Sequence, residues 1–397
     1  MNQRCLYFII LFMVLNDASA SGLSLYETAT EDIGLAGAGS AARAQDASTV
    51  LTNPAGMTRL PENMIIGGVQ LLYGDARYSM DNDAALKGND PGNVIGWFPA
   101  TSMFYVKQAS DMLALGVGIY GNYGLGLDYG SWAGDSLVQK STLLGMTLSP
   151  AAAIKLSERL SWGVGLGINY GFLSLTRRVD DGSQKQSDHD WALNFRTGLL
   201  FDFNEHVRGG VAYTSETRYH FNIDGNVLFP DISSIGYELP INAQVNSPQQ
   251  LMLSVVNDIN SQWSIMGNLG WQDWSRYGAS IIRVGETTLV GSHRLQDTWH
   301  TAFAVQYRPN TQWRFNSGIA YDSSIYKDQN DASLTMPTGD AWRFGIGTQY
   351  QLTPAQSIGL AAEYLTMETS RVKSSLVKGS YNIPYILFFS LNYSYSF

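Results

Sequence analysis

Apolar and polar residues alternate with a period of two along most of this chain. Counting back from the end, Phe397, Tyr395, Tyr393, Leu391, Phe389, Leu387, Tyr385, Ile383 and Tyr381 are all apolar or aromatic, with Ser396, Ser394, Asn392, Ser390 and Asn382 among the residues between them. A strand points successive side chains to opposite faces, so Tyr381–Phe397 presents one apolar face throughout. Strands of soluble domains usually run about six residues; a stretch this long suits a tilted membrane strand. The pattern recurs upstream. Trp162, Val164, Leu166 and Ile168 alternate with Ser161, Gly163, Gly165 and Gly167; Trp299, Phe303, Val305 and Tyr307 with His300, Ala302, Ala304 and Gln306; Trp342, Phe344 and Ile346 with Arg343, Gly345 and Gly347. Aromatics cluster towards strand ends, as an interfacial girdle requires. The second face is small and polar, unlike a dry core, and leaves room for something inside.

Connection lengths then predict topology. Short polar turns fall at Gln108–Asp111, Ser157–Arg159, Asn204–His206, Asp258–Gln262, Pro309–Gln312 and Thr353–Gln356. Longer segments lie between them: Asp75–Gly96, Asp128–Lys140, Val179–Asp190, Asn222–Ser247 (long enough to hide further structure), Gly278–Gln296, Asp322–Asp340 and Thr369–Ser380. Six short and seven long connections, strictly alternating, join fourteen strands. The fold class expected is an all-β membrane protein, an antiparallel transmembrane β-barrel with short periplasmic turns and long external loops.

Two stretches at the N-terminus do not alternate. Arg4, the apolar run Leu6–Leu15 and Ala18-Ser19-Ala20 read as a secretory signal peptide, cut after Ala20. The run is too short to span a bilayer as a helix. The only cysteine, Cys5, leaves with it, and so does any prospect of a disulfide or thiol chemistry. Residues 21–60 are rich in Ala, Gly, Ser and Thr; they must lie in the periplasm or fold into the lumen. The expected division is thus 1–20 signal peptide, 21–60 N-terminal segment and 61–397 barrel.

Composition supports this reading. The chain holds 40 Gly, 22 Tyr, 16 Phe and 10 Trp with only 15% charged residues, and 12 prolines help to break every long apolar run. A net charge of −9 argues against nucleic acid as a partner.

Within residues 21–60 stand Gly34-Leu35-Ala36-Gly37-Ala38-Gly39, then Gln45-Asp46-Ala47-Ser48-Thr49, then Asn53-Pro54-Ala55-Gly56. This order and spacing resembles the N-terminal hatch of the long-chain fatty-acid outer-membrane transporters, the family that includes the TodX-type aromatic hydrocarbon channels. Asn122-Tyr123-Gly124 in the third strand, Trp313-x-Phe315-x-x-Gly318-x-Ala320-x-Asp322 in the eleventh and Asp340-x-Trp342 opening the twelfth are similar to the family too. The resemblance covers the whole mature chain. It implies a partly helical hatch in the lumen, gated through Asn53, Pro54, Ala55 and Asp46. It also implies lateral release of a hydrophobic ligand at a kink in the third strand, at Asn122, Tyr123 and Gly124. Gly121, Gly124 and Gly126 permit such a departure from the ladder.

The resemblance implies uptake of hydrophobic small molecules, with long-chain fatty acids ahead of monoaromatic hydrocarbons; a general porin and a barrel hydrolase are the alternatives. No enzyme activity and no cofactor are expected. The implied partners are the hydrophobic ligand, outer-membrane lipid and lipopolysaccharide, and the barrel-assembly machinery, which reads a terminal residue such as Phe397. The protein is expected in the Gram-negative outer membrane as a monomer.

Three other readings compete locally. Gly37-Ala38-Gly39-Ser40-Ala41-Ala42 matches the dinucleotide fingerprint, which needs a preceding strand that is lacking here. His189, His206, His220, His293 and His300 have no metal-ligand spacing and read as turn or loop residues. No GxSxG is present, although triads are recognised by geometry rather than spacing. A fatty-acid carboxylate would want a lumenal cation. The phase of the fifth strand turns Gly171, Leu173, Leu175 and Arg177 inward, which makes Arg177 the first candidate, with Arg343 and Arg314 behind it. A bland alternative pairs such an arginine with a lumenal carboxylate such as Asp46.

Overall fold

The computed structural model describes residues 27–397 except 180–181, 228–236, 278, 285–286, 293–294 and 375. The expected signal peptide, Ser21–Tyr26 and His293 therefore lie outside the described residues. Fourteen strands close into one antiparallel barrel in which every strand pairs with its sequence neighbours. They are β1 (Met64–Asp75), β2 (Gly96–Gln108), β3 (Leu113–Asp128), β4 (Lys140–Lys155), β5 (Leu160–Val179), β6 (Gly182–Asp202) and β7 (Val207–Thr214). The second half comprises β8 (Gln250–Asp258), β9 (Trp263–Gln272), β10 (Thr298–Tyr307), β11 (Trp313–Asp322), β12 (Ala341–Thr353), β13 (Gln356–Met367) and β14 (Tyr385–Ser396). The last strand returns to the first, from Met64↔Ser396 to Asp75↔Tyr385. Closure removes the sheet edges, whose unpaired backbone groups hydrocarbon would not tolerate.

The outer face is apolar and exposed: Val164, Leu166, Phe303, Phe344, Ile346, Phe389 and Leu391 all lie on it. Two rings of aromatics bound this band. Tyr73 packs on Trp97 and on Tyr385 above, while Trp313 packs on Tyr350, and Tyr395 on Phe397, below. No described helix is long and apolar enough to cross a membrane; the strands do so instead.

Three expectations are corrected. The last strand is shorter than Tyr381–Phe397, because Ile383 sits at φ 44° and breaks the run. Tyr381 is consequently buried, joined to a small external sheet through Tyr78↔Tyr381. Residues 182–190, expected in a loop, extend β6 into a hairpin with β5 that reaches Val179↔Gly182. Gly278–Gln296, expected as a plain connection, contains strands, Ala279–Val284 pairing to Thr287–Ser292. They join a second, four-stranded sheet with Thr217–Val227 and Tyr237–Ser247, so that Asn222–Ser247 does hold the further structure its length allowed.

Residues 27–60 form two short helices, α1 (Thr30–Gly34) and α2 (Thr49–Thr52), and a 3-10 turn at Pro54–Arg59. Their residues are almost all buried against the inner face of the wall. Contacts reach every strand. Gln70 of β1 and Gln108 of β2 bond Thr28 O and Met57 O. The 3-10 turn packs on β3 to β6, and Arg43 O accepts from Arg208 of β7. Ser254, Asn268 and Gln306 of β8 to β10 bond Ala41, Gly39 and Gln45, and α1 lies on β11 to β14.

Candidate functional site

Glycines let this segment sit so close to the wall. A Cβ at Gly345 would meet Ile33 O, at Gly318 Leu35 O, at Gly210 Ala41 O and at Gly163 Ala55 N. The inward set that alternates with the apolar face is small because backbone lies against it. On the segment's own side, Gly37 and Gly39 adopt φ 77° and 74°, the left-handed region open to glycine, so the dinucleotide-like run here is a pair of turns.

Asn53 joins three pieces. Its Oδ1 accepts from Ala55 N at 3.1 Å and caps the 3-10 turn, whose first residue is Pro54. Its Nδ2 donates to Ala41 O at 2.6 Å and to Leu199 O of β6 at 3.0 Å. These bonds tie the turn both to Ala41 and to the wall at β6. Asp46 accepts from Ser48 N at 2.8 Å and Ser48 Oγ at 2.5 Å, fixing the turn before α2; among the described residues it forms no ion pair with an arginine, although its charge acts on Arg43.

The other end of the segment is held by charge. Arg343 of β12 binds Glu27, Asp322 Oδ2 at 2.5 Å and Glu363 Oε1 at 3.2 Å. Arg314 of β11 reaches Glu31 at 2.5 Å, and Asn316 bonds the same carboxylate at 2.7 Å. Asp32 pairs with Arg43 inside the segment. Burial pushes Asp32 up to about 6, and Arg43 offsets only part of this. Burial also opposes the charge of Glu31, but Arg314 and Arg43 outweigh it and hold that carboxyl below its ordinary value. Two of the three candidate arginines are thus engaged by carboxylates of the N-terminal segment.

Arg177 is different. It is 8% exposed near the outer end of β5, and its Nη2 has no hydrogen-bond partner among the described residues. Leu173, Leu143, Ala192, Tyr219 and Phe221 form an apolar cluster, with Leu173 two inward positions below Arg177 on β5. A Cβ at Gly171 would touch the Tyr219 ring at 2.7 Å, so that ring lies flat on the strand.

The β2–β3 seam is incomplete. Its ladder runs from Gln108↔Ala114 to Ser102↔Tyr120 and is not continued above that pair among the described residues. Asp128 N bonds Val94 O at 2.7 Å and closes the seam again higher up. Between these points β3 carries a bulge at Asn122, where the register to β4 shifts between Gly121 and Tyr123. A bulge bends and twists its strand. Asn122 Nδ2 donates to Asn169 Oδ1 of β5 at 3.1 Å, and a Cβ at Gly124 would lie 2.9 Å from the Phe98 ring of β2. The side chain of Tyr123 lies outside the described residues. The third-strand motif therefore falls where the β2–β3 ladder is interrupted; what the sequence did not reveal is that residues 96–101 of β2 have no ladder partner on β3 among the described residues.

These features define a fourteen-stranded outer-membrane barrel with a folded N-terminal segment inside it. Known proteins of this kind agree. Residues 11–397 match the family described as outer membrane protein transport protein (OMPP1/FadL/TodX), and the chain belongs to that family. It is 23% identical to a long-chain fatty acid transport protein of Salmonella typhi over 100% of both chains, and 24% identical to outer membrane protein P1 of Haemophilus influenzae over 88% of this chain and 86% of that protein. A solved Pseudomonas aeruginosa FadL homologue superposes with a TM-score of 0.81 at 18% identity, covering 95% of this chain and 100% of its own. The toluene transporter TodX of P. putida gives 0.72 at 15% identity, covering 93% and 98%. The protein is a hydrophobic-compound transporter of the Gram-negative outer membrane and not an enzyme.

Proposed function

We propose that this protein takes up long-chain fatty acids, with residues 27–60 acting as a hatch and the break in the β2–β3 ladder as the exit into the membrane. The observation that carries this reading is that break itself, bounded by Ser102↔Tyr120 below and Asp128 N–Val94 O above. Burying an acyl chain stabilises it by roughly 0.8 kcal/mol per methylene, so a side exit spares it a return to water. Leu143 of β4 and Leu173 of β5, paired in register, carry the apolar cluster below Arg177 towards β3.

Arg177 meets the ligand carboxylate in this proposal, since its Nη2 has no hydrogen-bond partner among the described residues. Arg343 and Arg314 would have to release Glu27 and Glu31 to do the same, so their role here is to anchor the hatch. Asn53, Pro54, Ala55 and Asp46 form the turn whose rearrangement opens the way. The relatives named for long-chain fatty acids align over the full chain, which favours an acyl ligand over a monoaromatic one.

The test is binding and uptake of labelled oleate and toluene by vesicles carrying the protein. Arg177→Ala should weaken oleate binding and spare toluene. Unchanged oleate binding overturns the assignment, and equal loss of both signals structural damage. Disrupting Asn53-Pro54-Ala55 without loss of barrel should lower oleate uptake; unchanged uptake refutes the gating role. Liposome swelling by small sugars at porin-like rates would refute the transporter reading as a whole.

A further inference from the structure

We propose that the lipid-facing wall opposite α1 carries a groove that binds the acyl chain of an outer-membrane phospholipid. The groove is a cavity of about 900 Å³ on the outer side of six adjacent strands, from β2 through β1, β14, β13 and β12 to β11. Its floor is one row of directly paired residues: Ala100, Gln70, Ser390, Ala361, Gly347 and Asn316. Five interstrand steps of about 4.8 Å make that row roughly 24 Å long.

The inner side of the same row explains the concavity. Gln70 donates to Thr28 O at 3.3 Å, Ser390 Oγ lies 2.7 Å from Thr30 Oγ1, and Asn316 donates to Glu31 at 2.7 Å. Ala361 packs in one cluster with Ile33, and a Cβ at Gly34 would stand 3.1 Å from Gly347 Cα. Five of the six floor residues thus hold residues 28–34, and the wall is drawn in along that line. Outside, the apolar side chains of Leu71, Phe389 and Ile346 stand on one rim and those of Val69, Leu391 and Leu360 on the other.

The chemistry of the groove selects its occupant. It has no charged lining residue, and its polar floor side chains are committed to the inner segment. Its backbone groups are paired in the ladders except on the β3 side of residues 99–101, and Thr101 and Thr348 add only single hydroxyls. No charged group there receives a headgroup. The groove also lies midway along its strands, between Tyr73, Tyr385 and Trp342 on one side and Tyr393, Tyr395 and Tyr350 on the other. That places it near the bilayer midplane, where only chain ends reach. A row of this length exceeds the roughly 15 Å of one leaflet's hydrocarbon, so the bound chain lies obliquely. The chains of a two-chain phospholipid can splay in this way; those of a many-chained lipopolysaccharide, packed side by side, cannot.

The experiment uses the full barrel refolded into phosphatidylethanolamine vesicles and extracted into mild detergent for native mass spectrometry. One phospholipid should remain bound. Thr348→Trp with Ala362→Trp, which fills the groove from its two rims, should lower retention about tenfold, equivalent to about 1.4 kcal/mol. Val211→Trp, on the lipid face of β7, should leave it unchanged. Absence of retained lipid, equal retention in the filled variant, or retention of lipid A or free fatty acid in preference to phospholipid overturns the proposal. Should the double variant not fold, spin-labelled phospholipids decide on the parent protein. A label near the chain end should be immobilised and one near the glycerol should not; equal mobility of the two overturns the proposal.

Discussion

The two halves of the N-terminal segment are held to the wall by different physics. Residues 27–43 are tied by charge, through Glu27 to Arg343 and Glu31 to Arg314, with Asp32 and Arg43 paired inside the segment. Residues 46–60 are tied chiefly by shape and neutral hydrogen bonds, with a single ion pair among the described residues, Arg59 to Asp202 of β6 at 2.9 Å. Val50, Met57 and Leu60 pack with Ile66, Phe104 and Ala114, and Thr58 bonds Ser161 at 2.7 Å. Charge attracts over distance but penalises a half-broken pair severely, because the survivor is left buried. Neutral packing is forgiving of charge and unforgiving of volume. The first half should therefore respond to protons and the second to bulk.

The largest effect is expected where volume enters the second half. Gly163→Leu would put side-chain atoms where the Pro54–Ala55 backbone runs, so the turn must leave its seat. Single-channel recordings should then show an open pore with the rest of the barrel intact. A closed channel would mean that residues 53–59 do not need that seat.

Next comes Arg343→Met, which leaves Glu27, Asp322 and Glu363 around an uncharged side chain. Breaking a buried pair costs about 3–5 kcal/mol, read here in a urea titration of the folded barrel. Adding Glu27→Gln should recover part of the loss. No recovery would remove Glu27 from the network.

Asn53→Ala sacrifices one accepted and two donated bonds and should cost about 1–3 kcal/mol by the same titration. Asn53→Asp retains the cap on Ala55 but cannot donate to Ala41 and Leu199. It should therefore be no better than alanine; full stability of the aspartate variant would show that the cap alone matters.

The smallest effect is that of pH on the first half. Asp32 is raised in the folded state to about 6 from an ordinary 3.8, so its contribution is complete below 3.8 and is lost as pH rises through about 6. Glu31 is lowered from 4.5, so its contribution is complete above that value and is lost as pH falls through its depressed folded value. Seating of residues 27–43 should be tightest between these limits and loosen towards neutral pH, as followed by hydrogen exchange. Asp32→Asn should abolish the loosening on the alkaline side; if it persists, Asp32 is not its source.

Much of the wall was legible because alternation is a local signal. Each strand advertises its own faces, and the six short turns set the order. The reading faltered where backbone geometry overrides alternation, at Ile383, and where external strands such as Thr217–Val227 pair outside the barrel. For the inner segment, Asn53-Pro54-Ala55 could be singled out, but not the carbonyls that Asn53 satisfies. Glu27 and Arg343 are far apart in sequence, and nothing local to either residue announces the other. The wall glycines were visible as a small inward set, while the backbone they accommodate was not.

Thr30 and Ser390 meet across 360 residues of chain. Ser390 belongs to the last strand and Thr30 to the first described residues, so the contact cannot form until the last strand is present. The inner segment, made first, waits for the end of the chain to complete its contacts. A contact of such sequence separation carries a heavy closure cost, which makes the sealing of the final seam the natural slow step in its biogenesis.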